Sequence, residues 1–325
     1  MSGKISQSRR LMSTSRFTIL AVILVQKISR RNEQYQIGRI KMTIIRNVRT
    51  LSQIIAIVGL SITIVACSIT NRGYELVWAD EFNCEHRLSD ASWSYENGFV
   101  RNEELQWYQE DNAYCKDGML VIEAKRESFS NPYYENGSDN WKTNREFVEI
   151  TSASVNTKNK HSWQYGIFEV RAKIKTEHGL WPAIWFLGIE GEWPSNGEID
   201  LMEYYRGMIL ANAAWADEGR FNAIWDDRKV PVSEFNDPNW DEKFHIWKME
   251  WTEESIKLYL DDVLLNEVDL STTLNRSDSP IKNPFHQPHY LLLNLAIGGK
   301  QGGSIESTQF PSEYLIDYVR VYQQK

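Results

Sequence analysis

Three acidic side chains, Glu198, Asp200 and Glu203, lie close together in the segment N-G-E-I-D-L-M-E-Y-Y. The apolar residues between them are typical of a buried β-strand. In a regular strand, Glu198 and Asp200 would share one face and Glu203 would lie on the other. Either the third acid is exposed to solvent on a strand edge, or a β-bulge at Leu201 or Met202 brings all three carboxyls to one face.

Carboxyls grouped in this way can hydrolyse a glycosidic bond. One ionised carboxylate attacks or stabilises the anomeric centre, and a protonated carboxyl gives its proton to the leaving oxygen. Mutual repulsion raises the pKa of one carboxyl and leaves another ionised. Five residues of extended strand span ~16 Å, whereas a retaining pair of carboxyls lies roughly 5 Å apart. Spacing alone therefore leaves both retention and inversion of configuration open.

The elements that carry these acids are predicted to be β-strands. Apolar and charged residues alternate strictly from Phe168 to Ile174, as in a sheet with one buried face. The segments M-L-V-I-E-A-K, S-I-K-L-Y-L and L-I-D-Y-V-R-V-Y repeat this pattern, and helical periodicity is nowhere sustained. Many short strands separated by Gly, Asn and Asp turns predict an all-β fold, a two-sheet β-sandwich or jelly roll.

Charge divides the chain into two parts. Residues 1–66 contain 11 Lys and Arg residues and one acid, whereas the remainder contains 25 basic and 43 acidic residues. A body with this acidic excess argues against nucleic acid as a partner, because like charges repel at long range.

The N-terminal part is predicted to be a leader, residues 1–66, in which a basic region precedes the apolar run from Ile54 to Ala66. Residues 1–41 are either an extended leader or an upstream start that is not the real one. The run ends in I-V-A-C, which resembles a bacterial lipobox and predicts lipid modification of Cys67. An uncleaved anchor helix is the alternative, although the run is short for a membrane span.

The leader and lipobox predict an exported bacterial cell-envelope lipoprotein, in the outer membrane or periplasm, that meets the membrane only through its lipid anchor. Residues 67–73 would be a short tether and residues 74–325 a single catalytic domain, which we expect to be a monomer. The two further cysteines, Cys84 and Cys115, are either bridged or two buried thiols.

Aromatic residues give a second indication of the ligand. All thirteen Trp residues fall between Trp78 and Trp251, many of them among polar neighbours. Flat aromatic faces beside Asn, Gln and Glu suit a sugar ring, which has apolar faces and hydroxyl edges. Packing in the core and a protein–protein patch are the competing uses.

The segment from Glu198 to Glu203 matches the E-x-D-x-x-E signature of glycoside hydrolase family 16. Other segments resemble the same family, including Y-E-L-V-W-A-D-E-F-N, R-N-E-E-L-Q-W-Y, W-Q-Y-G-I-F-E-V-R-A-K, G-L-W-P-A-I-W-F-L-G and L-L-L-N-L-A-I-G-G. The resemblance covers about residues 74 to 323. It implies a jelly-roll endo-glycanase with a curved catalytic cleft that retains anomeric configuration. Glu198 would be the nucleophile, Glu203 the general acid/base, and Asp200 a hydrogen-bonding partner of the nucleophile.

The same resemblance suggests groups that bind the substrate. Asn102 and Glu103 would hydrogen-bond sugars on the non-reducing side, and Trp181 and Trp185 would lie along the cleft, although the apolar neighbours of Trp185 also suit core packing.

A departure from the family pattern adds two more residues. Asn212 and Trp215 occupy a cleft-wall segment where typical laminarinases carry two His residues, which leaves the choice of glycan open. Arg206 and Arg145 are either specificity residues or surface charges, and Arg145 is interpreted as a surface charge.

No cofactor is expected for catalysis, because no paired metal motif, serine-nucleophile motif or phosphate loop appears. The resemblance implies a structural Ca²⁺ bound by Asp317 with backbone oxygens near Glu81 and Gly118. An ordinary turn-facing Asp is the alternative, since calcium prefers six or more oxygens.

We therefore expect a polysaccharide hydrolase, acting most readily on a β-1,3-glucan or a mixed-linkage β-1,3-1,4-glucan. A β-galactan hydrolase of the agarase or porphyranase kind is the alternative enzyme, and a transglycosylase is a further one. A non-catalytic carbohydrate-binding jelly roll is the alternative from another class.

Overall fold

The computed structural model describes residues 73–277 and 280–325, and Gly73–Lys325 forms one compact unit. The leader, the lipobox with Cys67 and the tether up to residue 72 lie outside the described residues. No helix in the described part is long and apolar enough to cross a membrane. The strands are β1 (Tyr74–Asp80), β2 (Ser94–Tyr95), β3 (Trp107–Tyr108), β4 (Ala113–Lys116), β5 (Met119–Ser130), β6 (Phe147–Ser152), β7 (Ser154–Asn156), β8 (Gly166–Lys173), β9 (Leu180–Gly188), β10 (Glu198–Tyr205), β11 (Met208–Ala216), β12 (Ala223–Pro231), β13 (His245–Trp251), β14 (Ser255–Leu260), β15 (Val263–Asp269), β16 (His289–Ile297) and β17 (Ser312–Gln324).

Helical structure in the described residues is limited to short turns: 3₁₀ turns at Glu110–Asn112, Val232–Phe235, Trp240–Glu242 and Leu270–Thr272, and one α-helical turn, α1, at Gly299–Gly302.

The described strands form two sheets. The larger has the order β15-β14-β13-β8-β17-β5-β6-β3, with β1 beside β17 and β4 beside β5. The smaller, which we call the cleft sheet, has the order β12-β11-β10-β9-β16-β7-β2. Its pairings are antiparallel. This nearly all-β, two-sheet architecture confirms the predicted fold class.

One core lies between the sheets and explains the alternation in the sequence. On β8, Phe168, Val170 and Ala172 are buried while their neighbours are partly exposed. They belong to the same apolar cluster as Phe186 of β9 and Leu293 of β16 in the cleft sheet. Each fully buried large apolar side chain contributes about 1.5–3 kcal/mol, so this face fixes the strand register.

The strand that carries the three acids contains the predicted bulge. Against β9, Asp200 pairs with Trp185 and Met202 with Ile184, so Leu201 is the extra residue. The pairing with β11 shifts at the same place. A one-residue insertion reverses the faces of all later residues, which brings Glu203 to the face of Glu198.

Cys84 and Cys115 form a disulfide, with Cα atoms 5.6 Å apart. This separation lies within the range that a disulfide spans without moving the backbone. Of the two arrangements that the sequence left open, the structure has the bridged one.

Candidate active site

A cleft of about 680 Å³ crosses the exposed face of the cleft sheet, and Glu198 and Glu203 both open into it. The buried Asp200 lies between them on β10 and interacts electrostatically with both. The bulge at Leu201 is what allows three acids on one strand to share this site. The predicted regrouping of the three acids is therefore present in the structure.

Glu198 accepts a hydrogen bond from the indole Nε1 of Trp193, at 2.7 Å. Burial raises the pKa of Glu198, whereas the hydrogen bonds from Trp193 and Asp200 and the charge of Arg101 lower it. Trp193 reaches the acid from the loop between β9 and β10. This loop packs so tightly against the end of β9 that no side chain fits at Gly188. A Cβ there would lie 2.0 Å from the carbonyl oxygen of Asn196.

Glu203 accepts a hydrogen bond from the indole Nε1 of Trp181, at 2.8 Å. Burial, together with the charge of Glu198, raises the pKa of Glu203 from 4.5 to about 7. A carboxyl with this pKa holds its proton at neutral pH in a substantial fraction of molecules, as a general acid requires.

Asp200 is 1% exposed, and burial followed by the charges of Glu203 and Glu198 raises its pKa well above the ordinary value. Its carboxyl accepts a hydrogen bond from Asn212 Nδ2 at 3.4 Å. Its hydrogen bond with Glu198 lowers the pKa of Glu198 and raises that of Asp200, so Asp200 is the donor in this pair.

One side of the cleft, which we call the inner wall, is built around Glu104. This side chain is 2% exposed and accepts hydrogen bonds from Gln106 (2.7 Å), Tyr108 (3.3 Å) and Asn102 (3.4 Å). Burial raises the pKa of Glu104. Asn102 lines the cleft, whereas its neighbour Glu103 does not. Glu103 is about half exposed and pairs with Lys300 at 3.2 Å, and hydrogen bonding of Asn102 and Glu103 to sugars stays a prediction.

Trp185 forms the floor beside the inner wall. Its indole donates to Asn294 Oδ1 at 2.7 Å, and Asn294 in turn donates to the hydroxyl of Tyr108 at 3.1 Å. The guanidinium of Arg101 lies 5.1 Å from the centre of the Trp185 ring and pairs with Glu96. Trp185 is therefore a cleft residue as well as a well-packed one, and Trp181 lines the cleft too.

Two arginines that the sequence left undecided support loops. Arg145 donates to the backbone carbonyls of Glu104 (2.8 Å) and Glu103 (3.1 Å), and it lies over the Phe99 ring at 4.7 Å. It holds the segment that leads into the inner wall, so the interpretation of Arg145 as a surface charge was wrong. Arg206 donates to the carbonyl of Lys300 at 3.0 Å.

Asn212 and Trp215 lie on opposite faces of β11. Asn212 lines the cleft, whereas Trp215 is 6% exposed in the core between the sheets and contacts Phe285 edge-on at 6.5 Å. No register shift interrupts the pairing of β11 with β12, so residues three apart must face opposite ways. The prediction of Trp215 as a substrate-binding residue was therefore wrong.

The one side chain predicted to bind calcium, Asp317, already has a cationic partner, because it pairs with Arg171. At Glu81, where the prediction uses the backbone oxygen, the side chain pairs with Arg320 through two hydrogen bonds of 2.7 and 2.9 Å. The described residues contain no group of three or more His, Cys, Asp or Glu side chains that could hold a metal ion. That finding does not bear on a site made of one carboxylate and backbone oxygens, so the calcium ion stays a prediction from the resemblance.

Several cleft residues were not identified from the sequence: Arg101, Glu104, Trp193, Tyr205, Trp225, Asp227, Lys229, Asn294 and Gln301. For Trp193 a local signal existed, because it stands in the W-P-S segment directly before the acids. Asn294 on β16 reaches the cleft through pairing with β9, which is distant along the chain, and a single sequence does not reveal this pairing. The residues on β12 reach it through the register of three consecutive strands, β10, β11 and β12.

Comparisons with known proteins agree with this geometry. The family model described as "Glycosyl hydrolases family 16" matches residues 101–320. A curated β-glucanase from Rhodothermus marinus is 33% identical over 267 residues, covering 77% of this chain and 85% of that protein.

Solved structures show the same similarity. The catalytic domain of an endo-1,3-β-glucanase (laminarinase) from Thermotoga petrophila has a TM-score of 0.64 and 32% identity, covering 78% of this chain and 98% of that one. A second solved structure has a TM-score of 0.70 and 36% identity, covering 78% of this chain and 92% of that one. Its description reads "Prominent members of the human gut microbiota express endo-acting O-glycanases to initiate mucin breakdown".

Proposed function

The chain belongs to glycosyl hydrolases family 16, and on that premise we propose that it is a retaining endo-β-glucanase that cleaves internal β-1,3 or mixed β-1,3-1,4 linkages. The observation that carries this proposal is the bulge at Leu201, which groups Glu198, Asp200 and Glu203 in one cleft. The similarity to the Rhodothermus β-glucanase and the Thermotoga laminarinase supports glucan as the substrate.

In the first step, the Glu198 carboxylate attacks the anomeric carbon and forms a glycosyl ester. The bond to the leaving oxygen breaks, and that oxygen takes the proton of Glu203. The hydrogen bonds from Trp193 and Asp200 favour the ionised form of Glu198, and the raised pKa of Glu203 favours its protonated form.

In the second step, Glu203 accepts a proton from water, the water oxygen attacks the anomeric carbon, and the ester bond to Glu198 breaks. Both carboxyls return to their starting states. Asp200 keeps its proton throughout and holds Glu198 in place. No metal ion or cofactor takes part in either step.

Hydrolysis of laminarin and lichenan by the purified protein, with ¹H NMR of the first products, tests this proposal. We expect oligosaccharides that first appear with the β configuration. We expect Glu198→Gln to lower kcat by at least about 10³-fold while laminarin is still bound, because the neutral amide cannot form the ester intermediate.

Agarose, porphyran and mucin O-glycans serve as comparison substrates. Cleavage of these glycans without cleavage of either glucan would contradict the glucan assignment. Products longer than the starting oligosaccharide would identify a transglycosylase. Binding without cleavage, unaltered in Glu198→Gln, would contradict an enzyme and support a carbohydrate-binding protein.

A further inference from the structure

The strand at the edge of the cleft sheet, β12, carries three side chains into the cleft: Trp225, Asp227 and Lys229. We call them the outer wall. The strand register places each of them in line with a residue of the acid strand. Three rows of paired residues cross β10, β11 and β12 in this order: Glu198–Ala214–Trp225, Asp200–Asn212–Asp227 and Glu203–Leu210–Lys229. With strands about 4.8 Å apart, the outer wall lies roughly 10 Å from the acids, across β11.

Trp225 differs from the other cleft tryptophans described above. It is 44% exposed, whereas Trp181 and Trp185 are 7% and 8% exposed. Among the described residues, Trp181, Trp185 and Trp193 each donate an indole hydrogen bond to a protein side chain, but Trp225 Nε1 has no such partner. An exposed aromatic ring with a free donor in a cleft is available to a ligand that has an apolar face and a hydroxyl edge.

The space beside Trp225 suits such a ligand. Ala214, which lies between Glu198 and Trp225 in the strand register, is fully buried and does not line the cleft, so the groups that a ligand would meet there are Trp225 itself and the polar side chains beyond it. The charges at the far end are balanced, because Lys229 Nζ lies 2.8 Å from Asp227 Oδ2. The outer wall therefore offers donors and acceptors for hydroxyl groups but no net attraction for an anionic sugar.

We propose that the outer wall is a distal sugar-binding subsite, in which one uncharged hexose of the polysaccharide stacks on Trp225 and hydrogen-bonds to Asp227 or Lys229. This inference rests on the proposed function and adds where the substrate is held beyond the cleaved bond. It also accounts for an exposed Trp on an edge strand that the buried acid site does not require.

Kinetics on a ladder of glucan oligosaccharides of increasing length tests this subsite. We expect Trp225→Ala to raise KM about tenfold for the oligosaccharides long enough to reach β12, with kcat little changed, because loss of the stacking contact removes about 1.4 kcal/mol of binding free energy. The shortest cleaved oligosaccharides should be hydrolysed as by the unmodified protein. Trp225→Phe should recover most of the loss.

Phe221→Ala is the matched control, because Phe221 is a similarly exposed aromatic (52%) on the same hairpin but outside the cleft. We expect it to have no effect at any length. An equal loss at all lengths, or no loss with Trp225→Ala, would overturn the subsite while leaving the proposed function intact. Absence of hydrolysis by the unmodified protein would instead contradict the proposed function, and this inference with it.

Discussion

The two walls of the cleft are built in opposite ways. The inner wall and the adjoining floor form a buried network, in which Glu104, Tyr108, Asn294 and the floor residue Trp185 are joined by hydrogen bonds. The outer wall lies on an edge strand, and its Asp227–Lys229 pair is about half exposed. A buried network holds its groups in one geometry, and removing one hydrogen-bond partner lowers folding stability strongly. An exposed wall can change with little effect on folding stability.

This difference indicates a division of roles. The inner wall lies next to the acids, because Trp185 pairs with Asp200 across β9 and β10 and the charge of Glu104 raises the pKa of Glu203, so its geometry bears on catalysis. The outer wall reaches the acids only across β11, where Asn212 is the connection. Asn212 donates to Asp200 and accepts from the backbone N–H of Arg228 on β12, at 3.3 Å. We therefore expect changes in the inner wall to affect stability and catalysis together, and changes in the outer wall to affect substrate choice.

The largest expected effect is the loss of folding stability when the inner wall is altered at Glu104. In the native protein each carboxylate oxygen of Glu104 accepts at least one hydrogen bond. In Glu104→Gln one of these oxygens becomes an NH₂ group, which then faces a hydrogen-bond donor whichever way the amide is turned. We expect a loss of about 2–3 kcal/mol in the free energy of unfolding, measured by urea denaturation.

The matched change in the outer wall is Asp227→Asn, which also replaces a carboxylate by an amide. We expect it to change stability by less than about 0.5 kcal/mol, because the ion pair that it removes is exposed. Equal losses for the two variants would show that the walls do not differ in the way that their burial indicates.

The next effect concerns the connection between the outer wall and the acids. Asn212→Ala removes the donor to Asp200 and the acceptor for β12. We expect kcat to fall about tenfold, because Asp200 then holds Glu198 less firmly, with a loss of stability of about 1 kcal/mol.

Asn266→Ala is its matched control, since Asn266 also forms two hydrogen bonds to β11 and β12, with Ala211 (3.0 Å) and Asp226 (2.9 Å). We expect a similar loss of stability with kcat unchanged. If Asn266→Ala lowered kcat as much as Asn212→Ala, the effect would come from loosening of the strands and not from Asp200.

The acids and the bulge could be predicted from the sequence. The chemistry requires all three carboxyls on one face of the strand, whereas strict alternation would place Glu203 on the opposite face from Glu198, so a bulge is needed. The prediction that Asn212 and Trp215 both face the cleft was wrong. Period-two alternation, which puts residues three apart on opposite faces of a strand, could have corrected it from the sequence alone. Glu104 was not identified, because it lies in a segment without regular structure, where no periodicity shows which side chain is buried. Trp225 and Lys229 could not be placed, because their positions depend on β10, β11 and β12 pairing in one register.

The smallest expected effect is a shift in the pH dependence of kcat/KM. The hydrogen bond from Trp181 favours ionised Glu203 and so lowers its pKa. Trp181→Phe should therefore raise that pKa from about 7 and move the basic limb of the profile to higher pH, by roughly 0.5–1 unit for one hydrogen bond. The sign follows because activity requires protonated Glu203 and is lost as the pH rises through its pKa.

Lys229→Gln is the comparison from the outer wall. Lys229 lies in the same row as Glu203, two strands away, but it is not among the groups that shift the Glu203 pKa. We expect the basic limb to stay in place in this variant. A downward shift with Trp181→Phe, or an equal shift with Lys229→Gln, would mean that the hydrogen bond from Trp181 does not control the proton on Glu203.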